Sequence, residues 1–171
     1  MNSSTSAIKP KRPTWTFALA HPAHFLAVGC GSGLAWVSPG TFGTLFGWLA
    51  FVAMDPFLSD LGWLVCIVVS FLMGVWICAK AGRALGVIDH GAIVWDEIVA
   101  IWLVLWVADA QLGDPIGQLI AVAVFRFFDI VKPPPIRWFD TRFKSGFGVM
   151  LDDLVAALMT LLALAVGLYF Y

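Results

Sequence analysis

The stretch LGWLVCIVVSFLMGVWICA, residues 61–79, contains no charged side chain. As a helix it can cross the hydrocarbon core of a bilayer, which takes about 20 apolar residues. Backbone N–H and C=O groups find no water at that depth, so a helix, which pairs them internally, is the form such a run must take. Residues 154–171 are a second uncharged run of comparable length. The whole chain has the same character: of 171 residues, 61% are hydrophobic and only 12% charged. That is too little charge to cover a soluble domain of this size. The expectation is an all-α, polytopic membrane bundle.

Working outward from 61–79, breaks in the apolar pattern divide the chain. Residues 1–24 read as a basic, flexible tail on the cytoplasmic side, with Lys9, Lys11 and Arg12, and residues 25–171 as the membrane-embedded domain. Residues 25–40 are Gly-rich and form an irregular entrance. Helices are expected over 41–54, 61–79, 93–107, 116–131 and 149–171, giving four to five membrane segments, with a polar loop over 80–91 and a basic loop over 136–148. Cys30, Cys66 and Cys78 are odd in number and show no metal-ligand spacing, so they read as reduced packing residues.

Charge placement orients these segments. Of the ten Lys and Arg, all but Arg126 fall in the tail, in 80–83 and in 132–144, whereas the intervening loops hold Asp55, Asp60, Asp109 and Asp114 with no basic residue. The positive-inside rule makes the basic loops cytoplasmic. Asp96, Glu97, Asp129, Asp152 and Asp153 then all lie at cytoplasmic helix ends. Carboxylates beside apolar runs are costly unless they face a polar interior, which marks them as candidates for function. Clustered with a few cations, they suit a hard metal ion and a phosphate.

Each group also has a plainer role open to it. Asp96-Glu97 and Asp152-Asp153 could simply start or cap helices, and Arg126 and Asp129, three apart, could form an intrahelical ion pair beside a snorkelling Lys132. Gly40, Thr41 and Thr44 sit in Ser38-Pro39-Gly40-Thr41-Phe42-Gly43-Thr44, a helix start whose N–H groups could hold phosphate. No Gly-Lys-Ser/Thr follows, so it is not a P-loop. Gly43 and Gly47, four apart, read as close helix packing. His90 is a candidate acid, base or ligand. The patterns of aspartyl-phosphate and cysteine-nucleophile phosphatases are absent from the sequence. Metal-assisted attack by water remains, with an ion-coupled transporter as the rival reading of the same buried charges.

With these residues assembled, the chain resembles the phosphatidylglycerophosphatase A family of bacterial inner-membrane lipid phosphatases. The matching segments are Gly31-Ser32-Gly33-Leu34 with Pro39-Gly40-Thr41, Asp89-His90-Gly91 through Val94-Trp95-Asp96-Glu97, Phe125-Arg126-Phe127-Phe128-Asp129 with Lys132-Pro133, Pro135-Ile136-Arg137-Trp138-Phe139-Asp140, and Gly146-Phe147-Gly148 through Asp152-Asp153. The resemblance implies Mg²⁺-dependent hydrolysis of phosphatidylglycerol phosphate to phosphatidylglycerol at the cytoplasmic face of the inner membrane, with lipid and no nucleic acid as partners. On that basis Glu97, Asp129, Asp152 and Asp153 are expected to hold Mg²⁺, Asp96 or His90 to take a proton, and Arg126, Lys132 and Arg137 to bind phosphate. Gly40, Thr41, Thr44 and Asp140 are expected at the substrate.

Overall fold

A computed structural model describes residues 12–170, apart from the side chains at 135 and 139–141. Every regular element among the described residues is helical. Two short helices come first, α1 (Trp15–Leu19) and α2 (Pro22–Ala27). Pro22 occupies the first turn of α2, where its missing N–H costs nothing, and the His21 side chain accepts from the Ala23 N–H at 3.0 Å. The part of the expected tail from Trp15 onward is therefore helical, and α2 packs on the later helix α4. Residues 1–11, with Lys9 and Lys11, lie outside the described residues. The irregular entrance is a 3₁₀ segment, Gly29–Leu34, with left-handed backbone at Gly29, Cys30 and Gly31.

Five long helices follow: α3 (Pro39–Met54), α4 (Asp60–Leu85), α5 (Trp95–Leu112), α6 (Pro115–Val131) and, after the short α7 (Pro134–Arg142), α8 (Gly146–Phe170). Their ends have local causes. Ser59 accepts from the Gly62 N–H to open α4, and Gly86 closes it in the left-handed conformation that glycine adopts most readily. The Asp114 side chain accepts from the Ile116 and Gly117 N–H groups at 3.0 and 3.2 Å, with Pro115 at the first turn of α6.

Several boundaries differ from the sequence reading; α5, expected over 93–107, runs from Trp95 to Leu112. Helix α4 runs through Lys80 and Arg83 to Leu85, because long cationic side chains can continue a helix and still reach water. Residues 136–142, expected in a loop, belong to α7. Proline favours a helix's first turn, and the buried Ile136 anchors this one, which packs against α8. Helix α8 begins at Gly146, not Val149, with Gly146 so close to α4 that a Cβ would meet Ala79 at 2.7 Å.

Helix α5 is the hub, packed against α3, α4, α6 and α8. Its Ile98, Ile101, Val104 and Leu105 are buried with Phe51, Trp63, Ile77 and Phe125. Trp63 stacks on Phe51 at 4.6 Å between centroids, and Trp102 Nε1 donates to the Gly47 carbonyl at 2.9 Å. The outer faces are apolar as well: Leu61, Val65, Val68 and Leu72 of α4, and Leu158, Leu162 and Val166 of α8, are exposed. Among the described residues, α4 and α8 are the helices long and apolar enough to cross a membrane.

Gly47 sets the approach of α3 to α5, since a Cβ there would lie 2.7 Å from Ile101 Cγ2 and 3.1 Å from Ile98 Cα. Gly47→Val is expected to lower the melting temperature in detergent, by about 1–3 kcal/mol of overpacking. Gly167→Ala, which meets nothing within 4 Å, is expected to leave it unchanged. Equal melting curves for the two variants would contradict the packing assigned to Gly47.

Candidate active site

Three long helices bring charged groups together at one end of the bundle. Glu97 comes from the first turn of α5, Arg126 and Asp129 from the last turns of α6, and Asp153 from the second turn of α8. One ligand oxygen from each of Glu97, Asp129 and Asp153 lies within 4.8 Å of the others. Arg126 Nη1 donates to Glu97 Oε1 at 3.0 Å and to Asp129 Oδ2, and it approaches Thr44 Oγ1 at 3.5 Å. A second pair lies beside the first: Lys132 Nζ to Asp152 Oδ2 at 2.5 Å.

Helix α3 supplies a wall of two glycines and Thr44. A Cβ at Gly40 would fall on the Glu97 carboxylate and lie 3.0 Å from Arg126 Nη1, and one at Gly43 would lie 2.9 Å from Glu97 Oε2. Thr44 is fully buried and donates to the Gly40 carbonyl at 3.0 Å. Gly43 also borders this cluster, whereas in the sequence its spacing from Gly47 reads as helix packing. The signal available was its spacing of three from Gly40, which puts both on one helical face.

The predicted residues thus separate. Glu97, Asp129, Asp153, Arg126, Gly40 and Thr44 converge, and Asp152 and Lys132 adjoin them. Asp152 and Asp153 lie inside α8, so capping does not account for their burial. Asp96 points elsewhere, as the ~100° step between adjacent helix residues requires. It lines a cavity of about 270 Å³ between α4, α5 and α8 whose walls include Ile67, Phe71, Val99 and Met150. His90 lies in the turn ahead of α5, where its Nδ1 accepts from the Ala92 N–H at 3.1 Å. Burial lowers its pKa from the ordinary 6.5, against the pull of Asp89. Thr41 donates its N–H to Ser38 at the start of α3. Arg137 lines a separate open cavity with Lys132. The Asp140 side chain lies outside those described.

The donor set suits a hard divalent cation. Glu97 Oε2 and Asp153 Oδ2 are buried without a hydrogen-bond partner, an expensive state for carboxylate oxygens unless a cation takes them up. Glu97, Asp129, Asp152 and Asp153 carry two more negative charges than Arg126 and Lys132 carry positive ones, which one divalent ion would balance. Arg126 also keeps a buried Nε without a partner, so the guanidinium can still donate to an anion.

The chain is similar to known proteins over most of its length. The family model described as phosphatidylglycerophosphatase A matches residues 25–168. A phosphatidylglycerophosphatase A of Haemophilus influenzae is 44% identical over 146 residues, covering 85% of this chain and 88% of its own. The Escherichia coli protein of that name is 38% identical over 144 residues, covering 83% and 81%. A Bacteroides thetaiotaomicron protein with the provisional name phosphatidylinositol-3-phosphatase is 34% identical over 161 residues, covering 92% and 96%. No solved structure matches.

A divalent ion held by three buried carboxylates stabilises the folded chain by mass action, about 2.7 kcal/mol at one hundred times its Kd. Mg²⁺ is expected to raise the melting temperature of the purified protein, and Glu97→Gln or Asp153→Asn to remove most of that rise. A shift of wild-type size in both variants would place the ion elsewhere.

Proposed function

Because the chain belongs to the phosphatidylglycerophosphatase A family, we propose that it removes the terminal phosphate of phosphatidylglycerol phosphate, yielding phosphatidylglycerol in phospholipid synthesis. The observation that carries this reading is the convergence of Glu97, Asp129 and Asp153 on Arg126 at one end of the bundle. The two activities named among its relatives both concern lipids in which a diester-linked polyol carries a phosphate monoester. That is the substrate class proposed here.

Glu97, Asp129 and Asp153 are the residues that would hold Mg²⁺, which when bound neutralises phosphate charge and favours attack by water. Arg126 is placed to donate to non-bridging phosphate oxygens, over which the charge of the transferring phosphoryl group is spread in the transition state. Its own orientation is set by Glu97, Asp129 and Thr44. Asp152 holds Lys132 at the edge of the site, as a second cation for the same group. Gly40 and Gly43 leave room for Glu97 to turn inward. The net reaction takes up one water and releases the alcohol and inorganic phosphate.

The membrane arrangement is part of the proposal. Helices α3, α4, α5, α6 and α8 cross the bacterial inner membrane, with α7 at its cytoplasmic surface. The lengths and apolar character of α4 and α8 support this, as does the confinement of Lys and Arg to one set of loops. Glu97, Asp129 and Asp153 then share the cytoplasmic end, where a lipid headgroup can reach them. An ion-coupled transporter would place such charges along a path across the bilayer, and here they gather at one end.

Purified protein is expected to release phosphate from phosphatidylglycerol phosphate with Mg²⁺ and to stop with EDTA. Glu97→Gln and Arg126→Ala are expected to lower kcat about 10²- to 10³-fold, and wild-type turnover in either would overturn its role. In intact cells, an impermeant thiol reagent that crosses only the outer membrane is expected to modify Gln111→Cys. Lys144→Cys should react only after the inner membrane is opened, and the reverse pattern would invert the topology.

A further inference from the structure

The corner between α6 and α7 holds an open cavity of about 520 Å³, lined by Val131, Lys132, Pro133, Pro134, Arg137 and Trp138. Its position follows from three local features. Lys132 ends α6 in a left-handed conformation, φ 44°, which turns the chain sharply. Pro134 then starts α7, and the buried Ile136 pins that helix to α8. The next residue, Arg137, is rotated by ~100° from Ile136 and faces the cavity.

The cavity lies between two very different surfaces. On the inner side its wall is Lys132, whose Nζ is 2.5 Å from Asp152 beside the carboxylate cluster. On the outer side it runs into a lipid-facing strip of α6, where Phe127, Ile130 and Val131 are 59%, 67% and 55% exposed. Trp138, half-exposed at the rim with the Arg142 guanidinium 5.6 Å from its ring centroid, has the character of an interfacial anchor.

We propose that this cavity is the subsite for the bridging phosphodiester of the substrate, with Arg137 as its specificity-determining cation. The assignment rests on the lipid phosphatase reading above. In a lipid of the proposed class, acyl chains, diester and terminal phosphate follow one another in that order. The molecule offers the same order in space: the apolar strip of α6, the corner cavity, the carboxylate cluster. Arg137 supplies a planar donor fork matched to two non-bridging oxygens. Lys132 stands between the two phosphates. A lipid with only one phosphate can fill the cluster or the corner, but not both.

The test uses the full chain in non-ionic detergent micelles with Mg²⁺. Initial rates are compared for phosphatidylglycerol phosphate and for phosphatidic acid with the same acyl chains. If the wild type leaves phosphatidic acid uncut, its inhibition constant takes the place of the rate. Arg137→Ala is expected to raise KM for phosphatidylglycerol phosphate about tenfold, the worth of one charge-assisted hydrogen bond. Phosphatidic acid should be affected less than about twofold, and Arg137→Lys should recover part of the loss. Phosphatidylglycerol, which keeps the diester and lacks the terminal phosphate, is expected to compete in the wild type and to lose potency about tenfold in Arg137→Ala. Equal losses on both lipids, unchanged KM for phosphatidylglycerol phosphate, or unchanged inhibition would each overturn the subsite. So would an effect seen only when anionic lipid is added to the micelles, which would make a neighbouring lipid the occupant. A wild type that releases phosphate from neither lipid would instead strike the phosphatase reading itself.

Discussion

Arg126 is the group on which the charged end of the bundle depends. One of its nitrogens is shared by Glu97 of α5, Asp129 of its own helix and Thr44 of α3. Three carboxylates packed this closely repel one another strongly in a medium of low dielectric. The guanidinium offsets only part of that repulsion, and buried oxygens on Glu97 and Asp153 are left over. Burial of so much like charge destabilises a fold unless a ligand makes use of it. The arrangement is thus poor as scaffolding and well suited to holding a cation and a phosphate. Everything else in the bundle serves to keep these side chains at one depth.

The apolar part of the molecule does this through close helix contact. Hydrophobic burial gives little preference for one helix pairing over another when the surroundings are lipid, so small residues and directed hydrogen bonds decide the geometry. Gly47 lets α3 rest on Ile98 and Ile101, Gly146 lets α8 rest on α4, and the Trp102 indole donates across to α3. Gly40 and Gly43 continue the same α3 face into the candidate site, where the space they leave is filled by the Glu97 carboxylate. Helix packing and site construction are one continuous surface here.

Much of this was legible in the sequence, for identifiable reasons. Helix α6 has an Asp-Pro start and prolines after Lys132, and its expected span of 116–131 falls one residue short of the observed Pro115–Val131. The five carboxylates stood out because charge beside an apolar run is rare and costly. Other features were hidden. Lys80 and Arg83 looked like a loop, although their long side chains let α4 carry on. Among the described side chains of α7 only Ile136 is buried, and nine residues are too few for a helical period to stand out. The partition of Asp152 to Lys132 and Asp153 to the cluster depends on the rotation of α8 and the reach of a lysine, neither of which is written in local pattern.

The unequal lengths of the helices bear on how a lipid would arrive. Helix α4 has 26 residues and α8 has 25, about 38 Å each at 1.5 Å per residue, whereas α3 has 16 and α6 has 17, about 25 Å. A hydrocarbon core is about 30 Å thick. In the proposed five-span arrangement, lipid beside α3 and α6 would meet a hydrophobic mismatch and thin to fit. Such a patch would lie against the helices that carry Gly40, Arg126 and Asp129, and local headgroups would sink toward the depth of the carboxylates. A protein so placed would have less need to lift its substrate out of the bilayer, because the bilayer would deform to deliver it.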